Sequence, residues 1–86
     1  MQKGSGSIIL LKALSDPTRM KIVRVLLKGE RCACEIPDLV GKAQPTVSLQ
    51  LKKLVQAGAI SSRREGTKSI YRVCDRRIAK LLELLK

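Results

Sequence analysis

Apolar residues recur along this chain with a spacing that turns from helical to alternating and back. Residues 8 to 14, IILLKAL, form a short apolar run that predicts a first helix. SDPT at 15 to 18 then reads as a stop and a restart. Asp16 can accept from the free amides of a new first turn, and Pro17 suits the first helical position, where no amide donor is needed. The second helix is expected from Pro17 to about Lys28, with Met20, Val23, Leu26 and Leu27 on one stripe and Gly29 ending it. ERCACEI, at 30 to 36, is ambiguous by pattern. Pro37 biases Ile36 toward an extended backbone, so a short strand is expected there. A short third helix follows, starting within 33 to 37 and ending at Gly41.

GKA at 41 to 43 is a turn, and the next helix runs from about Gln44 to Ala57, with Pro45 in its first turn and Gly58 just past its end. At about 100° per residue, Val47, Leu51, Leu54 and Val55 fall on one face, while Thr46, Leu49, Gln50, Lys52, Lys53 and Gln56 fall away from it. AISSRR and SIYRVC then alternate as two strands around EGTK, whose Gly66 is the natural turn residue. A last helix, DRRIAKLLELLK, begins at Asp75 and carries Ile78, Leu81, Leu82 and Leu85 on a stripe. The fold expected is mainly α with a small β hairpin. Two short helices joined by a Gly-containing turn, the second followed by a basic hairpin, describe a winged helix-turn-helix. Residues 1 to 7 read as a flexible, polar N-terminal segment and residues 8 to 86 as one domain.

Charge narrows the function. Eighteen Lys and Arg oppose seven Asp and Glu over 86 residues, a formal charge of +11. Such a field attracts polyanions, nucleic acid above all, with a strong dependence on salt. A membrane surface would call for one continuous basic amphipathic helix, and here the cations are spread over several segments. No apolar run approaches the roughly 20 residues of a spanning helix, nor does MQKGSGS lead into a secretion signal. Single-strand binders stack bases on aromatic side chains, and Tyr71 is the only aromatic residue. The partner expected is therefore double-stranded DNA. The chain has no histidine, no Gly-rich phosphate loop and no cofactor motif, which argues against an enzyme or a small organic substrate.

A helix lodged in the major groove needs short polar side chains near its N-terminal end, where base edges come closest. Gln44, Thr46, Ser48 and Gln50 supply that set, and Leu49, about 200° from Val47, faces outward where it can meet a thymine methyl. Lys52, Lys53, Arg63, Arg64, Lys68 and Arg72 are candidates for phosphate contacts, with Arg63, Arg64 and Lys68 flanking the hairpin turn. Ile8, Ile9, Leu11, Leu14, Ile78, Leu81, Leu82 and Leu85 place more apolar surface on the terminal helices than a small core hides. They predict a homodimer interface; the alternative is that they cap the chain's own core.

Three stretches, LSDPTRMKIVRVLLKGE, QPTVSLQLKKLVQAGAI and REGTKSIYRV, together resemble the ArsR/SmtB family of winged-helix, metal-responsive repressors over about residues 8 to 86. The resemblance implies a homodimer whose first and last helices pack together and which presents two recognition helices to successive major grooves. It also implies release of operator DNA when a ligand binds, and a packed, structural role for Tyr71.

Three cysteines make an odd set, at variance with the disulfide framework of a secreted mini-protein, and the reading is a cytoplasmic chain with reduced thiols. Cys32 and Cys34 match the C-x-C that arsenic- and antimony-responsive members of the resembled family carry at the start of the third helix. A third cysteine, three residues further on in that subgroup, is Pro37 here. Soft thiolates suit As(III), Sb(III) or another thiophilic ion and need no histidine. On a strand, Cys32 and Cys34 share a face at roughly 7 Å between Cα atoms; on a regular helix they diverge by about 200°. Cys74, from the same or a second subunit, is a candidate third ligand, and an external thiol is another. Two further readings stay open, three small buried apolar residues or a reversible thiol oxidation, although a C-x-C disulfide is strained. The family's histidine-carboxylate zinc site on the last helix has no counterpart in DRRIAKLLELLK. The alternative to a metal-responsive repressor is a constitutive or redox-responsive winged-helix DNA-binding protein.

Overall fold

Asp16 separates the first two helices as its chemistry requires. Its backbone is extended, its carboxylate accepts from the Arg19 amide at 2.9 Å, and Pro17 opens the helix behind it. The computed structural model describes the backbone of residues 2–84 and the side chains of residues 8–84. In chain order the elements are α1 (Gln2–Leu14), α2 (Pro17–Leu27), β1 (Arg31–Cys32), α3 (Ile36–Val40), α4 (Gln44–Gln56), β2 (Ile60–Glu65), β3 (Lys68–Val73) and α5 (Arg77–Leu84).

The five helices and the β hairpin are those that the pattern predicts; β1 joins the hairpin as a third antiparallel strand, order β1-β3-β2, and Ile36, expected to be extended before Pro37, instead opens α3. Helix α1 begins earlier than the run at 8 to 14 implied and takes in Gly4 and Gly6, both poor helix formers. What anchors it is its second half, where Leu10, Ala13 and Leu14 are buried. Both hairpin strands keep six residues but sit one residue nearer the turn than expected, closing through Gly66 and Thr67. Gly66 has φ of 64° at the first central position, the arrangement of a type II′ turn.

One core holds the elements together. Ile22, Val23 and Leu26 of α2, Ile36 and Val40 of α3, and Val47, Leu51 and Leu54 of α4 meet Ile60 of β2 and Ile78 and Leu82 of α5. Each large side chain fully withdrawn from water contributes about 1.5–3 kcal/mol before entropy is counted. Two stripe assignments need correction. In α2 it is Ile22 that is fully buried while Leu27 stays 40 % exposed, and in α4 Val55 stays 41 % exposed. The reason is common to both. A helix that packs on neighbours across only part of its circumference leaves the edge of its apolar arc in water.

The terminal helices divide differently from the expected interface. Leu14, Ile78 and Leu82 are taken up by the chain's own core, and Leu81 is half-buried against it. Ile8, Ile9 and Leu11 stand out from α1, as does Leu84 from α5, which the sequence stripe omitted. Leu85 lies outside the described residues. Within the described residues no helix is long and apolar enough to cross a membrane.

Candidate functional site

Helix α3 ends at Gly41 in the left-handed conformation (φ 70°), and its amide bonds back to the Pro37 carbonyl at 2.8 Å. The chain then turns through Lys42 and extended Ala43 into α4. That turn fixes the angle between the two helices and lets α4 bury Val47, Leu51 and Leu54. The opposite face is left to solvent: Gln44, Thr46, Ser48, Lys52 and Lys53 are exposed, and Leu49 is 51 % exposed. The side chains expected to read DNA thus share one open surface, with one partial exception.

Gln50 is half-buried and its Oε1 accepts from the Arg19 Nη1 at 2.8 Å. Arg19 also donates through Nε to the Ala13 carbonyl at 2.7 Å, so one guanidinium ties the end of α1 and the start of α2 to the middle of α4. Gln50 keeps only its amide donor free for a base. Arg19 was missed as a site residue, although it stands within the DPTR stretch already singled out. Its position, in the turn that Asp16 caps, is the signal that marks it.

The wing is less open than its composition suggests. Arg63 is held by Glu30, Nη1 to Oε2 at 2.8 Å and Nη2 to Oε1 at 2.9 Å, and by Glu65, Nε to Oε2 at 2.9 Å. The Arg63 hydrogen bond holds the Glu30 carboxyl below the usual range, and the two carboxylates push the guanidinium further up. Arg63, a phosphate candidate by sequence, thus has its guanidinium engaged by two carboxylates in this conformation. Arg64, Lys68 and Arg72 are exposed, and among the described residues none of the three forms an ion pair. Tyr71 is packed against the core from the central strand, opposite Ser62 on one side and Arg31 on the other.

The cysteines occupy two separate places. Strand β1 stops at Cys32, which pairs with Ile70, and the Ala33 amide still reaches the Ser69 carbonyl at 2.9 Å. The chain then turns, and the Cys34 amide donates to the Cys32 Sγ at 3.3 Å. Neither a continued strand nor a helix brings the two together; a turn does, closed by the Glu35 amide on the Cys32 carbonyl and by the Cys32 amide on the Glu35 Oε1. The Cys34 thiol, its backbone amide and the nearby Lys68 ammonium lower the Cys32 thiol, while sharing that hydrogen bond raises Cys34. The pair thus carries one easily formed thiolate, on Cys32.

Both cysteines line a cavity of about 340 Å³ with Glu30, Arg31, Glu35, Arg63 and Lys68. Cys74 lines a different cavity, between α2 and α5, and its Sγ meets the Gly58 carbonyl at 3.4 Å. It lies four residues along β3 from Ile70, the partner of Cys32, about 13 Å at strand rise. One chain therefore does not gather the three cysteines, and among the described residues no set of three His, Cys, Asp or Glu side chains is placed to hold a metal.

A short helix, a tight turn, a second helix with an open polar face and a basic hairpin define a winged helix-turn-helix of the DNA-binding type. The family described as "Bacterial regulatory protein, arsR family" matches residues 16–62, and the chain belongs to it. The chain is 44 % identical over 75 residues to a probable mercury resistance operon repressor of Streptomyces lividans, a match covering 87 % of this chain and 60 % of that protein. It thus spans little more than half the length of that relative. Two solved structures superpose on nearly the whole chain. The transcriptional repressor BigR of Xylella fastidiosa (TM-score 0.87, 33 % identity) covers 98 % of this chain and 86 % of its own. A homodimeric winged helix-turn-helix DNA-binding domain of Mycobacterium bovis (TM-score 0.86, 31 % identity) covers 98 % and 78 %. These relatives are regulators of transcription rather than enzymes.

Proposed function

We propose that the chain is a homodimeric transcriptional repressor that binds operator DNA through α4 and releases it when a thiophilic ion binds Cys32 and Cys34. The observation that carries the DNA reading is the open face of α4, where Gln44, Thr46, Ser48 and Leu49 stand opposite the buried Val47, Leu51 and Leu54. Lys52 and Lys53 of α4 and Arg64, Lys68 and Arg72 of the hairpin are exposed cations available to phosphates. The dimer reading rests on Ile8, Ile9, Leu11 and Leu84, four large apolar side chains left exposed on the terminal helices, and on the homodimeric Mycobacterium bovis relative.

The effector reading rests on two cysteines held in one turn by the Cys34 amide on the Cys32 sulfur, beside Lys68 and in a cavity, in a relative of a mercury resistance repressor. As(III) and Sb(III) suit such soft donors, and a bound ion would take two thiolates from the chain and its remaining ligand from an external thiol. Cys32, the more acidic of the pair, loses its proton first.

One titration tests the DNA and effector parts. Duplex DNA from upstream of the gene is bound by the wild-type protein and followed by fluorescence anisotropy, then challenged with arsenite, cadmium or an oxidant. Binding that weakens with salt, and release by arsenite that is lost in Cys32→Ser and Cys34→Ser, is the expected result. By linkage, arsenite must bind the DNA complex more weakly than the free protein by the same factor. Release by the oxidant alone would transfer the thiols to a redox role. Sedimentation at micromolar concentration checks the dimer, and Ile8→Glu with Leu11→Glu is expected to give monomers.

A further inference from the structure

The carboxylates around the cysteine turn are not distributed at random. Arg63 stands on β2 directly across Ile70 from Cys32, so the two share a row that runs across the three strands. From that row its guanidinium reaches back to Glu30, two residues ahead of Cys32, and forward to Glu65 at the end of β2. Both oxygens of Glu30 are used, in the fork geometry that arginine alone offers a carboxylate. Glu30, Cys32, Cys34, Arg63, Glu65 and Lys68 line one cavity.

We infer that Glu30 sets how many cations the wing presents to DNA, because it holds Arg63 in an ion pair anchored beside the cysteine turn. This rests on the DNA-binding reading above. Glu30 is thereby a positioning residue. It touches no nucleic acid, but it occupies the Nη1–Nη2 edge of the guanidinium, the edge left to meet a phosphate while Glu65 holds Nε. It also stands where a change at Cys32 and Cys34 is felt. The turn at 33–35 is pinned to β3 through the Ala33 amide, and β1, itself paired with β3, links it to Glu30. A rearrangement of that turn would bear on the pair through this strand.

The test is a double-mutant cycle read as a salt dependence. Wild type, Glu30→Gln, Arg63→Gln and the double variant are titrated with one mixed-sequence duplex across a range of salt concentrations. Freeing a guanidinium for a phosphate steepens the plot of log K against log salt by about 0.9 per protomer. Glu30→Gln is expected to show that change in the wild-type background. In the Arg63→Gln background it should lose it, keeping only the small effect of removing one exposed charge. An equal effect in both backgrounds overturns the inference. A second readout needs no DNA: NMR of the Arg63 Nη1 and Nη2 protons, which donate to Glu30, hindered in rotation about Cζ–Nη in wild type and expected to loosen in Glu30→Gln. If the Nη groups already rotate as freely in wild type, the pair is not formed in solution and the inference falls, whatever the DNA result. If instead the wild type shows hindered Nη groups but no salt-dependent binding, the DNA reading fails and takes the inference with it.

Discussion

Helix α4 and the β2–β3 hairpin both carry exposed cations, but they hold them differently. Lys52 and Lys53 of α4 are exposed, and among the described residues neither forms an ion pair. Arg63 of the hairpin is gripped by two carboxylates. Formal charge therefore overstates what the hairpin offers and states fairly what the helix offers. Exposed pairs of this kind add little stability, since solvent screens them. Their consequence is for binding: a phosphate must displace a carboxylate before it can use that guanidinium.

The largest effects that sharpen this contrast lie within α4 itself. Leu54 is fully buried and Leu49 is 51 % exposed. Leu54→Ala is expected to cost about 2–5 kcal/mol in urea denaturation, while Leu49→Ala stays within about 0.5 kcal/mol. Comparable losses would mean that the outward face is packed rather than open. Next comes base reading. Thr46→Ala or Gln44→Ala is expected to cost about 1–3 kcal/mol on the operator, with binding to mixed-sequence DNA almost unchanged. Equal losses on both DNAs would make these residues phosphate contacts.

Smaller is the charge effect. Lys52→Gln should lower the salt slope by about 0.9 per protomer, whereas Arg63→Gln should scarcely alter it, because that guanidinium is already engaged. The smallest concerns the thiols. In Cys34→Ala the Cys32 thiol loses the Cys34 side-chain hydrogen bond, the larger of the two that lower it, and keeps the one from the backbone amide, so thiolate absorbance should appear at higher pH than in wild type. The sign is fixed. Cys32 is lowered in the folded chain, so wild type ionises first on raising the pH, and the variant later. Titration at the same pH would remove Cys34 as the cause.

The two regions were also legible to different degrees. For α4, periodicity placed Val47, Leu51 and Leu54 inside and the polar set outside, and Pro45 and Gly58 marked its ends within a residue. The cysteine turn was readable only as a choice between strand and helix. The answer is a strand that stops at Cys32 and a turn that brings the Cys34 amide back to its sulfur. Stopping there depends on pairing with Ile70 and Ser69, more than 35 residues away, which no local spacing encodes.

What the chain's order of residues determined is whatever repeats locally: five helices, a hairpin, the cap at Asp16, the turn at Gly66 and a net charge of +11. Tertiary structure decided which groups are spent on one another. It gave Arg63 to Glu30 and Glu65, Gln50 to Arg19, and Leu14, Ile78 and Leu82 to the core. It also kept Cys74 apart from the other two thiols. Hydrophobic period and turn chemistry act over a few residues, so they can be read in line. Hydrogen bonds and ion pairs between distant segments form only once packing has brought those segments together, and availability for a ligand follows from them.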